Sequence, residues 1–185
     1  LKVVLNGQSL VEQQIKALHA LIMANDFEHG EGVLSEQDIG AAYVDRIAED
    51  VVVASSIKVV LDCCNGAASD IAPRLFNALG CEVVPLFAEV DGSFPNHAPD
   101  PSASGSLDAL INEVKLQQAN LGLAFDGDAD RMVAVTAAGK VVSADQMLML
   151  FAKDVLTRNP GADVVYDIKC SRHLNRLIAS HGGRP

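Results

Sequence analysis

The stretch from residue 57 to residue 87 limits the possible folds most severely. Ile57-Lys58-Val59-Val60-Leu61-Asp62 is a β-branched, apolar run, Cys63-Cys64-Asn65-Gly66 reads as a turn, Ala67 to Leu79 carries a helical pattern with Gly80 beyond its end, and Cys81 to Phe87 is a second strand-like run. A strand, a helix and a strand in that order make a βαβ unit, which places two parallel strands in one sheet with a helix on its face. The expected class is α/β, with mixed sheets flanked by helices.

The pattern continues on both sides. Leu10 to Met23 puts Ile15, Leu18, Leu21 and Ile22 on one helical face, and Ser35-x-x-Asp38 reads as an N-cap for a helix through Tyr43 and Ile47. Leu107 to Gln118 reads as a helix leading into the strand Leu121-Gly122-Leu123-Ala124-Phe125. A fresh cycle opens near Lys140. There Ser143-x-x-Gln146 caps a helix with Leu148, Met149, Phe151, Ala152 and Val155 facing inward, and Met147 and Met149 read as core filler. Ala162 to Tyr166 reads as a strand and Ser171 as the cap of a last helix. Leu1-Lys2-Val3-Val4-Leu5 already looks like an interior strand, so the chain is expected to be a piece of a longer protein.

The chemistry concentrates in Asp126-Gly127-Asp128-Ala129-Asp130-Arg131, a tight acidic loop between the strand ending at Phe125 and the run Met132-Val133-Ala134-Val135. Carboxylates crowded this closely repel one another unless a cation sits among them, and a hard divalent ion such as Mg²⁺ prefers oxygen ligands. Gly127 is expected to curl the chain through positive φ, and the spacing permits three monodentate oxygens on one ion. An EF-hand is excluded, because its sixth and twelfth positions would fall on Arg131 and Ala137 rather than Gly and Glu. A haloacid-dehalogenase-type phosphatase with Asp126 as nucleophile stays open, as do a non-catalytic metal-stabilised domain and a plain solvated turn.

Of 185 residues 49% are hydrophobic, enough for a substantial core, and the formal charge of −10 argues against nucleic acid or an anionic membrane as partner. Cys63, Cys64, Cys81 and Cys170 lack metal-ligand spacing and read as reduced thiols of a cytoplasmic protein. His97 and Asn96 read as parts of a rigid connector rather than as catalytic groups.

Three ordered stretches carry a resemblance. Leu121 to Arg131 resembles the Mg²⁺-binding loop of the α-D-phosphohexomutases, particularly the bacterial phosphomannomutase/phosphoglucomutase branch. Val59 to Ala67 resembles the first strand, turn and helix of that family's second domain, and Glu89-Val90-Asp91-Gly92-Ser93-Phe94-Pro95-Asn96-His97 with Pro99-Asp100-Pro101 resembles its Pro-rich segment. The resemblance implies an internal fragment: residues 1–38 as the tail of domain I, 39–140 as a complete domain II, and 141–185 as the opening of domain III. It further implies a Mg²⁺-dependent interconversion of hexose 1-phosphate and hexose 6-phosphate through a phosphoserine and a bisphosphorylated sugar. Asp126, Asp128 and Asp130 would be the metal ligands, Arg131 a catalytic phosphate contact, Lys2 a catalytic cleft cation just after the serine loop that assists proton transfer or binds phosphate, and Lys169, at the carboxyl end of a strand, a cleft-facing substrate contact. The serine, sugar and phosphate loops are expected outside this chain. Ala129 stands where many members carry Gly, and Cys64 where Gly is commoner.

Overall fold

The computed structural model describes residues 3–185, so the expectation for Lys2 lies outside the described residues. Two compact units divide the chain, one ending at Asp38 and the other running from Ile39 to Pro185.

In the first unit β1 (Val4–Leu5) and β2 (Gln8–Ser9) form a two-stranded antiparallel hairpin, followed by α1 (Glu12–Ala24). The expected interior strand is therefore a short exposed ribbon, with Val4 and Leu5 each 61% exposed. Asn6-Gly7, both at positive φ, is the hairpin signal that the apolar run before it obscured. The expected apolar face of α1 exists, yet none of its residues is buried.

The second unit holds the sheet. Its strands are β3 (Lys58–Asp62), β4 (Glu82–Leu86), β5 (Leu121–Phe125), β6 (Met132–Thr136) and β7 (Val141–Val142), in the order β4-β3-β5-β6-β7. β3 pairs in parallel with β4 and β5, β5 and β6 are antiparallel, and β7 continues antiparallel on β6. The parallel pair expected from the βαβ unit is β3 with β4, and it lies within a mixed sheet of the expected class.

Alternation along β3 builds two cores. Val59, Leu61 and Cys63 pack with Leu123, Ala134 and the inner face of α3 (Ala68–Ala78), while Val60 packs with Ala124, Val135 and Leu110 and Val114 of α4 (Asp108–Leu116). The sheet is a middle layer between α3 and α4, and α2 (Gly40–Ala48) packs beside α3. Helix α2 starts at Gly40 rather than after Ser35, with Ile39 as its N-cap residue. Burial of Gly40 and Val44, not the Ser35-x-x-Asp38 pattern, marks where the helix begins.

Helix α5 (Ala144–Arg158) and helix α6 (Arg172–Ser180) share a third core of Ala152, Leu156, Leu174 and Ile178, supported by Leu148 and Met149. Phe151 and Val155, expected inside, are 53% and 42% exposed because the buried stripe runs through Ala152 and Leu156 instead. Met147 packs against the sheet core as filler. The Ser143 amide donates to the Gln146 side chain at 3.3 Å, and Ser171 caps α6 by accepting from the His173 amide. The strand expected over Ala162–Tyr166 does not form. Only Asp163 and Arg184 make an isolated bridge, flanked by hydrogen bonds that join Ala162 and Val164 to Arg184, and Val165 stays 93% exposed.

Candidate functional site

The site is set by topology. From β3 the chain crosses to β4 on one side of the sheet and later to β5 on the other, so a crevice opens at the carboxyl ends of β3 and β5. Two loops meet there: the turn Cys63 to Gly66 after β3, and the acidic loop Asp126 to Arg131 joining β5 to β6.

Their contact is backbone against backbone. The Ala67 amide donates to the Gly127 carbonyl at 2.9 Å, and a Cβ on Gly66 would stand 2.5 Å from that same oxygen. Gly127 itself faces Phe94 and Pro99, whose atoms would lie 3.1–3.3 Å from an added Cβ. Close approach, rather than positive φ, is what Gly127 supplies. The residue at positive φ is Ala129, at 58°, a conformation that costs about 1–2 kcal/mol for a residue with a Cβ.

Asp126 is 3% exposed. Its two oxygens accept from Arg131, Oδ1 from the backbone amide at 2.9 Å and Oδ2 from Nε at 2.7 Å. Burial acts to raise this carboxyl, but the Arg131 amide and guanidinium outweigh it and hold Asp126 below the usual carboxylate range. Arg131 also donates from Nη1 to Asp100 Oδ1 at 3.3 Å. Those two side-chain bonds use two of its five N–H donors, and the side chain remains 58% exposed. Asp128 and Asp130 are exposed, and the charge of Asp128 is felt by Arg131.

The three aspartates therefore do not converge. Among the described residues no group of three His, Cys, Asp or Glu side chains is arranged to hold a metal ion. Arg131 serves as the counter-cation for the buried carboxylate, while two carboxylates of the same short loop project into solvent. Chemically this donor set fits a hard divalent cation: anionic oxygens only, without sulfur or imidazole.

Asp62 closes β3 beneath the loops. It is fully buried, and both its oxygens lie 3.1 Å from His97 Nε2, with the Cys64 amide donating to Oδ1 at 3.0 Å. Burial pushes its carboxyl up, and His97 and the Cys64 amide oppose that rise. The sequence assigned no role to Asp62 or to Asp100. A charged residue ending an otherwise apolar strand was the available signal for the first, and Asp100 carried none beyond lying in the Pro-rich segment.

All four cysteines are free. Burial, followed by the charge of Asp62 and the neighbouring Cys64, pushes the Cys63 thiol up to about 12. At pH 8 only about one part in 10⁴ is then thiolate, so Cys63 should not react with Ellman's reagent in the native protein. Cys170, partly exposed, is the thiol expected to react, and native labelling at Cys63 would contradict the burial of this turn. Because the folded value lies above the ordinary 9.0, the unfolded chain ionises first as pH rises. Stability from this group should be intact below about pH 9 and fall between about 9 and 12.

Lys169 lies in an exposed turn rather than at a strand end, with Nζ 3.5 Å from the Asp167 carboxylate. A hollow of about 470 Å³ lies beside the acidic loop, lined by apolar residues of α2 and α3, Phe125, Asp128 and Ala129. None of its lining residues is a Lys, Arg or His. Among the described residues no helix is long and apolar enough to cross a membrane.

A three-layer α/β/α domain with an oxygen-donor loop at the carboxyl edge of its sheet, at the topological switch point, belongs to the class of open α/β folds, whose ligands gather in that crevice. The family model for phosphoglucomutase/phosphomannomutase, alpha/beta/alpha domain II, matches residues 41–139. The chain belongs to the phosphoglucomutase/phosphomannomutase family. It is 54% identical over 184 residues to a phosphomannomutase/phosphoglucomutase of Pseudomonas syringae pv. tomato and 45% identical to a phosphoglucomutase of Neisseria gonorrhoeae. These alignments cover 100% and 98% of this chain but 40% of each relative. A crystal structure of a phosphoglucomutase/phosphomannomutase family protein from Burkholderia thailandensis superposes with a TM-score of 0.89 at 45% identity, covering 100% of this chain and 40% of that one. The chain thus spans about 40% of the length of the relatives it matches. Family membership replaces the phosphatase reading, which the geometry also disfavours: a carboxylate 3% exposed, with both oxygens engaged by Arg131, is poorly presented as a nucleophile.

Proposed function

We propose that this chain is the metal-binding part of a phosphohexomutase that interconverts hexose 1-phosphate and hexose 6-phosphate through a phosphoserine and a bisphosphorylated sugar, in the cytoplasm. Residues 39–140 are its second domain, 1–38 the end of the first and 141–185 the opening of the third. The observation that carries this reading is the acidic loop at the meeting of β3 and β5, within a stretch that matches the family's second domain.

Asp126, Asp128 and Asp130 are the residues that would hold Mg²⁺, which when bound neutralises charge on a transferring phosphoryl group. Asp126 supplies a buried, ionised oxygen fixed by backbone; Asp128 and Asp130 supply solvent-facing ones. Arg131, anchored by Nε on Asp126, offers its outer N–H groups to a phosphate oxygen in fork geometry. Lys169 reaches the substrate from its exposed turn, and Lys2 acts as a second cleft cation.

The test is direct. The full-length protein, incubated with glucose 1-phosphate or mannose 1-phosphate and Mg²⁺, should form the 6-phosphate, followed by ³¹P NMR, and should carry acid-stable phosphoserine. Release of inorganic phosphate without isomerisation, or no conversion of either sugar, would contradict the proposal.

A further inference from the structure

Residues 87–101 run from the end of β4 past the acidic loop without regular structure, yet they are held at successive points. The Asn65 side chain donates to the Glu89 carbonyl at 2.7 Å and accepts from Asn96 Nδ2 at 2.7 Å, and the Asp91 amide donates to the Asn65 carbonyl at 2.9 Å. One residue beyond Asn96, His97 sets Nε2 between the two oxygens of fully buried Asp62, at 3.1 Å from each. Its other ring nitrogen lies 2.9 Å from the Ala98 carbonyl, so both nitrogens face acceptors. Phe87 packs edge-on against the imidazole, with centroids 5.3 Å apart.

The two residues that follow Ala98 touch the acidic loop. The Pro99 carbonyl accepts from the Gly127 amide at 3.3 Å, and Asp100 accepts from Arg131 at 3.3 Å. The chain from the Asp62–His97 pair to the loop is therefore three residues long and passes through a proline, which stiffens it.

We infer that His97 is a positioning residue: by locking onto Asp62 it fixes the strap 89–101, and through Pro99 and Asp100 the strap fixes the Asp126–Arg131 loop. A buried carboxylate demands a partner, and a side chain 13% exposed on that carboxylate has little freedom. The consequence for metal and phosphate rests on the proposed function; the mechanical claim does not.

Amide hydrogen exchange over residues 126–131 of the full-length protein, without metal or sugar, tests it. His97→Ala should speed exchange there about tenfold or more. His97→Gln, whose side-chain N–H can still donate to Asp62, should stay within about twofold of wild type. Leu156→Ala, a deletion in the separate α5–α6 core, should leave this segment unchanged. Asn96→Ala loosens one tie while leaving the buried carboxylate paired, so it should give a smaller rise, about threefold, and keeps the test open if His97→Ala does not fold. Exchange within twofold of wild type in His97→Ala, or in Asn96→Ala where that variant stands in, would overturn the inference. So would an equal rise in Leu156→Ala. Magnesium titration of the same variants should show affinity falling about tenfold in His97→Ala and unchanged in Leu156→Ala. Loss of loop protection in a protein that isomerises no sugar phosphate would uphold the strap and refute only the mutase.

Discussion

Asp128→Asn in the full-length protein should lower mutase turnover by at least about a hundredfold while leaving the melting temperature within about 2 °C. A hundredfold corresponds to about 2.7 kcal/mol of lost transition-state stabilisation, the scale of losing one electrostatic stabiliser, here through a weaker hold on the Mg²⁺ that would neutralise the phosphoryl charge. The structure separates the two readouts. Asp128 is exposed and contributes no side chain to the sheet cores, so the fold should not register its loss. Asp126 would not give so clean a result, because its burial and its two bonds to Arg131 make it structural as well. Steady-state assay with glucose 1-phosphate, paired with calorimetric melting, decides the matter. Turnover within twofold of wild type would remove Asp128 from the metal site. A matching collapse of the melting temperature would make its role one of folding.

The second large effect concerns stability. Gly66→Ala should cost about 3 kcal/mol, lowering the melting temperature by roughly 6–12 °C for a chain of this size. The added methyl would lie 2.5 Å from the Gly127 carbonyl oxygen and 2.9 Å from its Cα, and backbone cannot rotate aside as a flexible side chain can. Relief would require parting the β3 turn from the acidic loop, at the expense of the Ala67-to-Gly127 hydrogen bond. Activity should fall along with stability, since the loop would move. Differential scanning calorimetry reads the effect, and a change below 1 °C would mean that the two loops are not in contact as described.

The elements that could be read from the sequence are those decided by local pattern. The run Ile57 to Asp62, the helix ending near Gly80 and the strands flanking Asp126 and Arg131 each show their period within a few residues, and each forms where expected. The residues that escaped are decided by distant partners. Helix α2 begins where Gly40 and Val44 become buried, and residues 162–166 have only Arg184 as a bridging neighbour. The acidic loop was legible as a cluster of like charges. Its supports were not, because Asp62 and His97 lie 35 residues apart and Asp100 and Arg131 lie 31 apart. The pairing of Arg131 with Asp126 follows from their shared loop, yet nothing in the spacing shows that Asp126 would be buried while Asp128 and Asp130 stay in solvent. Ala129, not Gly127, takes the left-handed conformation, because contact with Phe94 and Pro99 reserves the glycine for close approach.

Isothermal titration of the full-length protein with MgCl₂, set beside the variant in which Asp126, Asp128 and Asp130 are all changed to Asn, is the most direct measurement. One site per chain in the wild type, lost in the triple variant while the sheet still melts cooperatively, is the predicted result. Magnesium binding of equal strength in both proteins, or none in the wild type, would contradict the assignment of the acidic loop as the metal site.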